Sequence, residues 1–488
     1  MSKVLQYFVD ICPARHRQAL YALGLLLEGG GLAACPTTSA EDADIVYSRL
    51  RPERCSANSV WIKADGASDW NQPDAKIGWS DEVPYLYQNI SPASSSEAGD
   101  MGGDCLYSTY AIVTGVMERN EQRDEWGVIV ATGSQLQRAG MLGLPVVAMY
   151  VDRLLRLLQQ RRGPFPTLDR WPNGKRFAVV LTHDVDNPFS RLPLSLRGAE
   201  LLRALRTRRW CSTARWIASW GVEAGRRICG ARSCSENDPN FCFDKWREVE
   251  RKLGTRSCCY VAVTTRYDAH ASPQDITYDF RQPLLREVLC RAIEQGGEIG
   301  LHASINSRNV AGRFSEEKEL LESVLNGYRL KGLRHHYWTL DRDRPECTLQ
   351  LHAKAGFQYD SSLGLNDSPG FRRGMAWPYQ PFDPEQGTVI PIHELPPTLM
   401  DGGIFYRPVS PAEGQSQIEM HLQTVARYGG AAVLDWHIEM LNARLMNGAG
   451  PALCRVLTDL SLRSDVAWFS PVELLNWWTR RQGLLTCR

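Results

Sequence analysis

From residue 176 to the end of the chain, short apolar runs alternate with longer segments that are apolar on one side only. The short runs have the length of buried strands, and the longer segments have the periodicity of amphipathic helices. Strands that alternate with helices predict an α/β fold built on a parallel sheet or barrel. The predicted strands are 177–182, 258–264, 298–302, 332–338, 357–361, 389–393, 431–436 and 466–469. The predicted helices are 243–253, 284–295, 315–328, 347–355, 414–428, 451–463 and 471–481.

The first 165 residues have a different pattern and are predicted to form a smaller α/β domain. A short strand is predicted at 42–48, a loop at 80–105 and helical structure from 106 to 160. Residues 161–166, Arg-Arg-Gly-Pro-Phe-Pro, interrupt the helical pattern and predict a linker. The length of 488 residues also favours two domains over one. Because no reactive residues concentrate before residue 165, a packing or partner-binding role is favoured for this part.

A basic insertion at 190–240 interrupts the alternation of strands and helices, and seven arginines lie between 203 and 227. A solvated helical face or a lid explains such a segment better than a nucleic-acid site does. The net charge of +1 gives no reason to expect a polyanionic partner. No apolar run approaches the roughly 18 residues of a transmembrane helix.

The chain has 14 cysteines, and its first residues do not resemble a signal peptide. These features predict reduced thiols and a cytoplasmic location. Cys229, Cys234 and Cys242 cluster loosely but form no Cys-x-x-Cys pair. Free thiols are therefore favoured over a zinc knuckle.

Polar residues collect at the ends of six predicted strands. In parallel α/β folds, reactive groups gather at the carboxyl ends of the strands, so this distribution predicts a site there. The six clusters are 183–186 (His-Asp-Val-Asp), 302–306 (His-Ala-Ser-Ile-Asn), 334–338 (Arg-His-His-Tyr-Trp), 360–362 (Asp-Ser-Ser), 393–394 (His-Glu) and 435–437 (Asp-Trp-His).

Asp184 and Asp186 are two residues apart at the end of an apolar strand, so both side chains point to the same face. A carboxylate and a histidine suit a divalent ion such as zinc. A second carboxylate can act as a general base, an arginine can hold that base ionised, and a further histidine can protonate a leaving group. This set predicts metal-assisted hydrolysis of an amide or an ester.

The order of these motifs resembles that of the NodB-homology polysaccharide deacetylases of carbohydrate esterase family four. Residues 182–186 are similar to the family's first motif, 302–306 to the second and 434–437 to the fifth. The resemblance covers about 170–488 and implies a distorted barrel of about seven strands and helices. Within it, a bacterial branch with an extra N-terminal domain is most similar.

The resemblance also implies roles for individual residues. Asp184 is predicted to be the base, Arg334 to hold it and His437 to be the acid. Asp186 and His302 are predicted to bind the divalent metal, for which zinc is favoured. Four residues are predicted to contact the substrate: Leu434, Asp360, Trp436 and Tyr337.

The chain departs from the family pattern at Asn306, where the second motif has a histidine. A neutral amide oxygen is a poor zinc ligand. His336 is the first candidate for the third ligand, and Ser304, Asn306 itself or a water are the alternatives. His183 lies on the opposite face of an ideal strand from Asp184 and is predicted to be structural.

The predicted activity is removal of acetyl groups from an N- or O-acetylated sugar or glycan, in the synthesis of surface polysaccharides. A non-catalytic glycan-binding or scaffold protein with a degraded metal site is the alternative. A third possibility is hydrolysis of a non-sugar amide, as in the related allantoinases. The motifs leave open the sugar, its acetyl position, the metal and the oligomeric state.

Overall fold

The computed structural model describes residues 4–66, 69–89, 99–190, 235–442, 445 and 448–485. Most of the predicted basic insertion, including Cys229 and Cys234, lies outside the described residues. The strands are β1 Leu5–Asp10, β2 Ala34–Pro36, β3 Ile45–Ser48, β4 Val60–Lys63, β5 Lys76–Ser80, β6 Val83–Tyr87, β7 Phe177–Val185, β8 Cys258–Val261, β9 Glu298–Ala303, β10 Gly332–His335, β11 Tyr359–Asp360, β12 Phe382–Asp383, β13 Thr388–Val389, β14 His393–Glu394, β15 Pro397–Met400, β16 Ala431–Asp435 and β17 Val466–Phe469. The helices are α1 His16–Gly30, α2 Cys105–Thr114, α3 Gln135–Arg138, α4 Val146–Arg162, α5 Phe243–Leu253, α6 Pro283–Glu294, α7 Arg313–Val324, α8 Pro345–Lys354, α9 Asp401–Phe405, α10 Pro411–Arg427, α11 Ala449–Ser461 and α12 Pro471–Leu485.

The main sheet is parallel and has the strand order β14-β11-β10-β9-β8-β7-β16-β15. Every residue of β7 is buried, as expected for a strand in a parallel sheet that is covered on both faces. The last strand, β17, pairs with the first half of β7, and β8 pairs with its second half. The predicted α/β fold class is confirmed as an open, distorted barrel of parallel strands and helices.

The first part of the chain forms a parallel sheet of order β2-β1-β3-β4 and an antiparallel pair, β5 and β6. Helix α1 contacts both α2 and α4. The predicted smaller α/β region is therefore present.

This region and the barrel share one continuous hydrophobic core. The buried carboxylate of Glu118 lies 2.9 Å from Arg372 and 3.2 Å from Arg373 of the barrel part. A buried carboxylate needs such pairing to offset its lost hydration. The predicted division into domains near residue 165 stays a prediction.

The chain between 382 and 400 differs from the predicted pattern. The predicted strand 389–393 is divided, since β13 pairs antiparallel with β12 while β14 joins the main sheet. Strand β15 was not predicted, because Pro396 and Pro397 favour a loop in the sequence pattern. It lies at the end of the main sheet, where it pairs with β16.

Nine cysteines of the described residues are free thiols, and Cys35 is disulfide-bonded. Cys242 is one of the free thiols. Within the described ranges, no helix has both the length and the apolar character needed to cross a membrane.

Candidate active site

The carboxyl ends of four strands converge on one site. Asp184 is the last residue but one of β7, and Asp186 directly follows this strand. His302 is the fifth residue of β9, while His336 and His437 follow β10 and β16. These parallel strands end at the same edge of the sheet, so the clusters that are far apart in sequence meet there.

Asp186, His302 and His336 form a cluster whose ligand atoms all lie within 4.8 Å of one another. Nε2 of His302 is 3.3 Å from Oδ1 of Asp186, and Nε2 of His336 is 3.3 Å from Oδ2. In the described part of the chain, the buried Oδ1 of Asp186 and Nε2 of His302 lack a hydrogen bond. Two imidazoles and a carboxylate, with ligand atoms that are not used in hydrogen bonds, fit a divalent ion such as zinc.

Both histidines of this cluster are oriented through their second ring nitrogen. Nδ1 of His302 lies 3.1 Å from the backbone oxygen of Arg334, and Nδ1 of His336 lies 3.6 Å from Oδ1 of Asp275. Contacts of this kind set the tautomer and ring direction of metal-binding histidines. They leave Nε2 of each ring facing Asp186.

The backbone after His336 is strained. Tyr337 and Trp338 have φ values of 53° and 55°, in the left-handed region that aromatic residues rarely adopt. Trp338 packs where a side chain on Gly364 would clash, since a Cβ there would lie 1.4 Å from the indole. Strain of this kind persists where surrounding packing enforces it, and the two strained residues directly follow His336.

Asp184 is held by Arg334, which is fully buried. Nη1 of Arg334 lies 2.9 Å from Oδ1 of Asp184 and 2.9 Å from Oδ1 of Asp435. Its remaining donors bind Ser361, through the backbone oxygen and the hydroxyl, at 3.0 Å. The guanidinium also lies 4.4 Å from the ring centre of Tyr260. Arg334 is thus fixed on every side and presents a constant positive charge to Asp184.

His437 contacts two carboxylates, those of Asp401 and Asp186. Its Nδ1 is 3.0 Å from Asp401, whose Oδ2 also accepts the backbone N–H of His437 at 2.7 Å. Its Nε2 is 3.4 Å from Oδ2 of Asp186. The imidazole is therefore oriented by one carboxylate and directed towards the metal cluster.

The surrounding charges shift the pKa values of Asp184 and His437, the two candidate catalytic groups, in opposite directions. Burial raises the pKa of Asp184, but the charges of Arg334 and of neighbouring histidines lower it by more. The pKa of Asp184 therefore lies below its usual value. Burial lowers the pKa of His437, but Asp401 and Asp186 raise it well above its usual value. Asp184 is therefore ionised near neutral pH, as a base requires, and His437 is protonated, as an acid requires.

The structure brings His336 into the cluster and leaves the other candidate ligands outside it. The side chain of Asn306 is exposed and donates to the backbone oxygen of His270 at 3.0 Å. The hydroxyl of Ser304 donates to Glu317.

The four predicted substrate residues are placed differently. Tyr337 lines a cavity of about 260 Å³ over the cluster. Leu434 and Trp436 are fully buried in the core, and Leu434 lies on the strand face opposite Asp435. Asp360 is buried beside His352, 3.3 Å away, rather than in this cavity.

The predicted structural role of His183 agrees with its contacts. Its Nδ1 lies 2.8 Å from the backbone oxygen of Trp436, and its ring centre is 4.3 Å from that of Trp246 in α5. The side chain points away from Asp184, as strand alternation predicts.

Several residues of the site were not predicted. Asp401 follows the unrecognised strand β15, and Asp275 lies in a loop without a motif. Trp126 comes from the first part of the chain, and Glu439 follows His437 by two residues; both line the cavity. No motif marked Asp401 in the sequence, but its position after a short apolar run could have done so.

No protein-family model matches the chain, and no curated protein matches its sequence. Among solved structures, a protein assigned as a polysaccharide deacetylase from Mycobacterium smegmatis is 18% identical, with a TM-score of 0.41, over 65% of this chain and 94% of its own. The PuuE allantoinase is 13% identical, with a TM-score of 0.41, over 65% of this chain and 95% of its own.

The catalytic domain of a peptidoglycan N-acetylglucosamine deacetylase from Eubacterium rectale is 9% identical, with a TM-score of 0.30, over 62% of this chain and 92% of its own. Two of these three structures are named as deacetylases and one as an allantoinase. At such identities and TM-scores, the roles of individual residues rest on the geometry of the site.

Proposed function

We propose that this chain is a metal-dependent hydrolase that removes acetyl groups from an N- or O-acetylated sugar or glycan. The observation that carries the proposal is the arrangement of Asp184 and His437 around the cluster of Asp186, His302 and His336. An ionised carboxylate and a protonated imidazole both face one buried group of metal-binding atoms.

The metal would be held by Asp186, His302 and His336. A divalent ion supplies Lewis-acid chemistry, since it polarises a carbonyl oxygen and makes a water molecule more acidic. The chain's own residues must then supply the proton transfers.

Asp184 accepts the proton of the attacking water through its carboxylate. Arg334 keeps that carboxylate ionised and fixes its direction through the 2.9 Å contact. The same nitrogen of Arg334, Nη1, also pairs with Asp435, which restricts the guanidinium to this position. The carboxylate of Asp184 is thus ionised and oriented without any rearrangement of the protein.

His437 donates a proton from Nε2 to the departing nitrogen or oxygen of the sugar. Asp401 holds the opposite ring nitrogen and stabilises the imidazolium before the transfer. Water attack at the acetyl carbon therefore breaks the bond to the sugar and gives acetate and the free amine or hydroxyl. The surface-polysaccharide pathway and the cytoplasmic location stay predictions.

The direct test is Asp184→Asn in protein loaded with zinc, with acetate release measured from N- and O-acetylated sugars. We expect a loss of about 10²- to 10⁴-fold, the usual contribution of a general base, with metal content unchanged. Asp459→Asn, at an exposed position of α11, is the matched control. Full activity of Asp184→Asn would refute the proposal, and a wild-type protein that binds sugars without releasing acetate would favour a non-catalytic glycan-binding protein.

A further inference from the structure

An aromatic wall made by both parts of the chain borders the cavity over the metal cluster. The indole of Trp126 stacks on the ring of Tyr337, with ring centres 4.2 Å apart and an angle of 16° between the planes. Tyr337 in turn stacks on His336 at 4.5 Å. Trp126 belongs to the region before residue 165, whereas the other two rings belong to the barrel, so both parts of the chain line the cavity.

The turn that carries Trp126 is stabilised by hydrogen bonds between its own residues. Oδ1 of Asp124 accepts the backbone N–H groups of Trp126 and Val128, each at 2.9 Å. Gly127 adopts a φ of 86°, which completes the tight turn. The backbone of the turn that carries the indole is thus fixed by the turn's own hydrogen bonds.

The same turn is also held by the barrel. Arg308 donates to the backbone oxygen of Trp126 at 3.1 Å. Asn366 donates to Oδ2 of Asp124 at 2.9 Å and to the backbone oxygen of Tyr337 at 3.3 Å. Because Asn366 joins the turn to the strained segment, the two stacked rings are positioned together. A wall that is ordered in advance costs little conformational entropy when a ligand binds.

A polar group lies in the same cavity. Glu439 is 3% exposed, and its Oε2 has no hydrogen-bond partner among the described residues. Its Oε1 accepts from Asn187, at 3.2 Å, and both side chains line the cavity. A buried carboxylate oxygen without a donor is costly, which favours a ligand that brings one.

We infer that Trp126 and Glu439 form a recognition site for the sugar ring that carries the acetyl group. The inference rests on the proposed function and deepens it. A pyranose ring has an apolar C–H face, which suits an aromatic wall, and hydroxyl groups at its edge, which can donate to Glu439. The first region of the chain therefore supplies a substrate-binding residue to the barrel's active site.

The inference is tested with Trp126→Ala, Trp126→Phe and Glu439→Gln in the full chain loaded with zinc. Acetate release is measured from a panel of N-acetylated hexosamines and O-acetylated hexoses, and from ethyl acetate, which has no sugar ring. We expect Trp126→Ala to raise KM for the sugars about 3- to 10-fold with little change in kcat, and Trp126→Phe to restore most of the loss. Glu439→Gln is likewise expected to raise KM for the sugars.

Two controls separate recognition from folding. Trp79→Ala removes an indole that is 40% exposed in the same region and should leave KM unchanged. Zinc content should be the same in Trp126→Ala as in the wild type, and any change in the hydrolysis of ethyl acetate should be smaller than the change for the sugars. A KM for acetylated sugars that Trp126→Ala leaves unchanged would overturn the inference while the proposed function stands.

If the zinc-loaded wild type releases no acetate from any substrate, the proposed function fails and sugar binding decides the inference. Saturation-transfer NMR with the same sugars then compares the wild type with Trp126→Ala. Binding by the wild type that Trp126→Ala abolishes supports the inference. Equal binding by both proteins, or none by the wild type, overturns it.

Discussion

Nδ1 of His437 lies 3.0 Å from both carboxylate oxygens of Asp401. Asp401 is fully buried and also accepts the backbone N–H of His437. This contact fixes the ring and, by its charge, favours the imidazolium form. The carboxylate that favours protonation of His437 therefore belongs to a residue that directly follows a strand the sequence pattern did not reveal.

Asp401→Asn should lower kcat and narrow the pH range of activity. Without the negative charge the pKa of His437 falls, so the alkaline limb of the pH profile moves to lower pH. The loss of kcat should be about tenfold or more, but smaller than the roughly 10²- to 10⁴-fold loss expected for His437→Ala. Steady-state kinetics from pH 5 to 10 measure both effects. An unchanged alkaline limb would show that Asp401 does not set the protonation of His437.

His336→Ala should weaken zinc binding about 100-fold or more, since loss of a direct ligand exceeds the roughly 10- to 100-fold effect of losing an orienting contact. Asn306→Ala should bind zinc like the wild type, because its side chain faces solvent and His270. Titration against a chelator of known affinity gives the dissociation constants. His270→Ala, at an exposed position, is the control for loss of a histidine. Equal losses of zinc affinity in Asn306→Ala and His336→Ala would contradict the assigned ligand set.

Arg334→Met should destabilise the fold by about 3–5 kcal/mol, because it leaves two buried acids, one of them the ionised Asp184, without their cation. Asp435→Asn should cost less, since burial and the charge of Asp184 already raise the pKa of Asp435 well above its usual value and favour its neutral form. Urea unfolding measures both changes. Arg480→Met, at an exposed position, should have little effect.

The double variant Arg334→Met/Asp435→Asn checks the cause of the loss. It should recover part of the stability that Arg334→Met loses, because one of the two unpaired acids is gone. Strictly additive losses would show that the guanidinium stabilises the fold through packing instead.

Glu298→Gln should stabilise the protein more at pH 8 than at pH 5. Burial raises the pKa of Glu298 to about 7, and hydrogen bonds from Tyr359 and Val472 only partly offset this. Between the unfolded value of about 4.5 and the folded value, the native state binds the proton and the unfolded state does not. The wild type therefore loses stability as pH rises through this window, by about 3 kcal/mol from this group.

Urea unfolding at pH 5 and pH 8 measures the difference between Glu298→Gln and the wild type. Glu294→Gln, at an exposed position of α6, is the control. The same gain from Glu298→Gln at both pH values would show that ionisation of Glu298 is not the cause.

The sequence pattern predicts most of the barrel because its strands and helices have local periodicity. Helix α5 was predicted with the same bounds, Phe243–Leu253, and the ends of β7, β9, β10 and β16 were identified as places where reactive groups meet. The placement of His183 away from Asp184 followed from strand alternation alone. Burial and alternation are local properties, so one sequence is sufficient to show them.

Contacts between distant segments leave no such local pattern. Trp126 is 211 residues before Tyr337, and nothing near it in the sequence marks it as part of a site. Asp275 orients His336 from a loop, where neither period nor spacing applies. Leu434 matched a motif, yet its side chain packs into the core, because the strand's alternation directs Asp435 rather than Leu434 to the site.

The buried group of Glu118, Arg372 and Arg373 joins the two parts of the chain in one continuous core. Such a junction makes folding of one part depend on the other, so the boundary near residue 165 should not be a boundary of cooperativity. Calorimetry should record a single unfolding transition, and a fragment from 170 onwards should expose apolar surface that the first region covers.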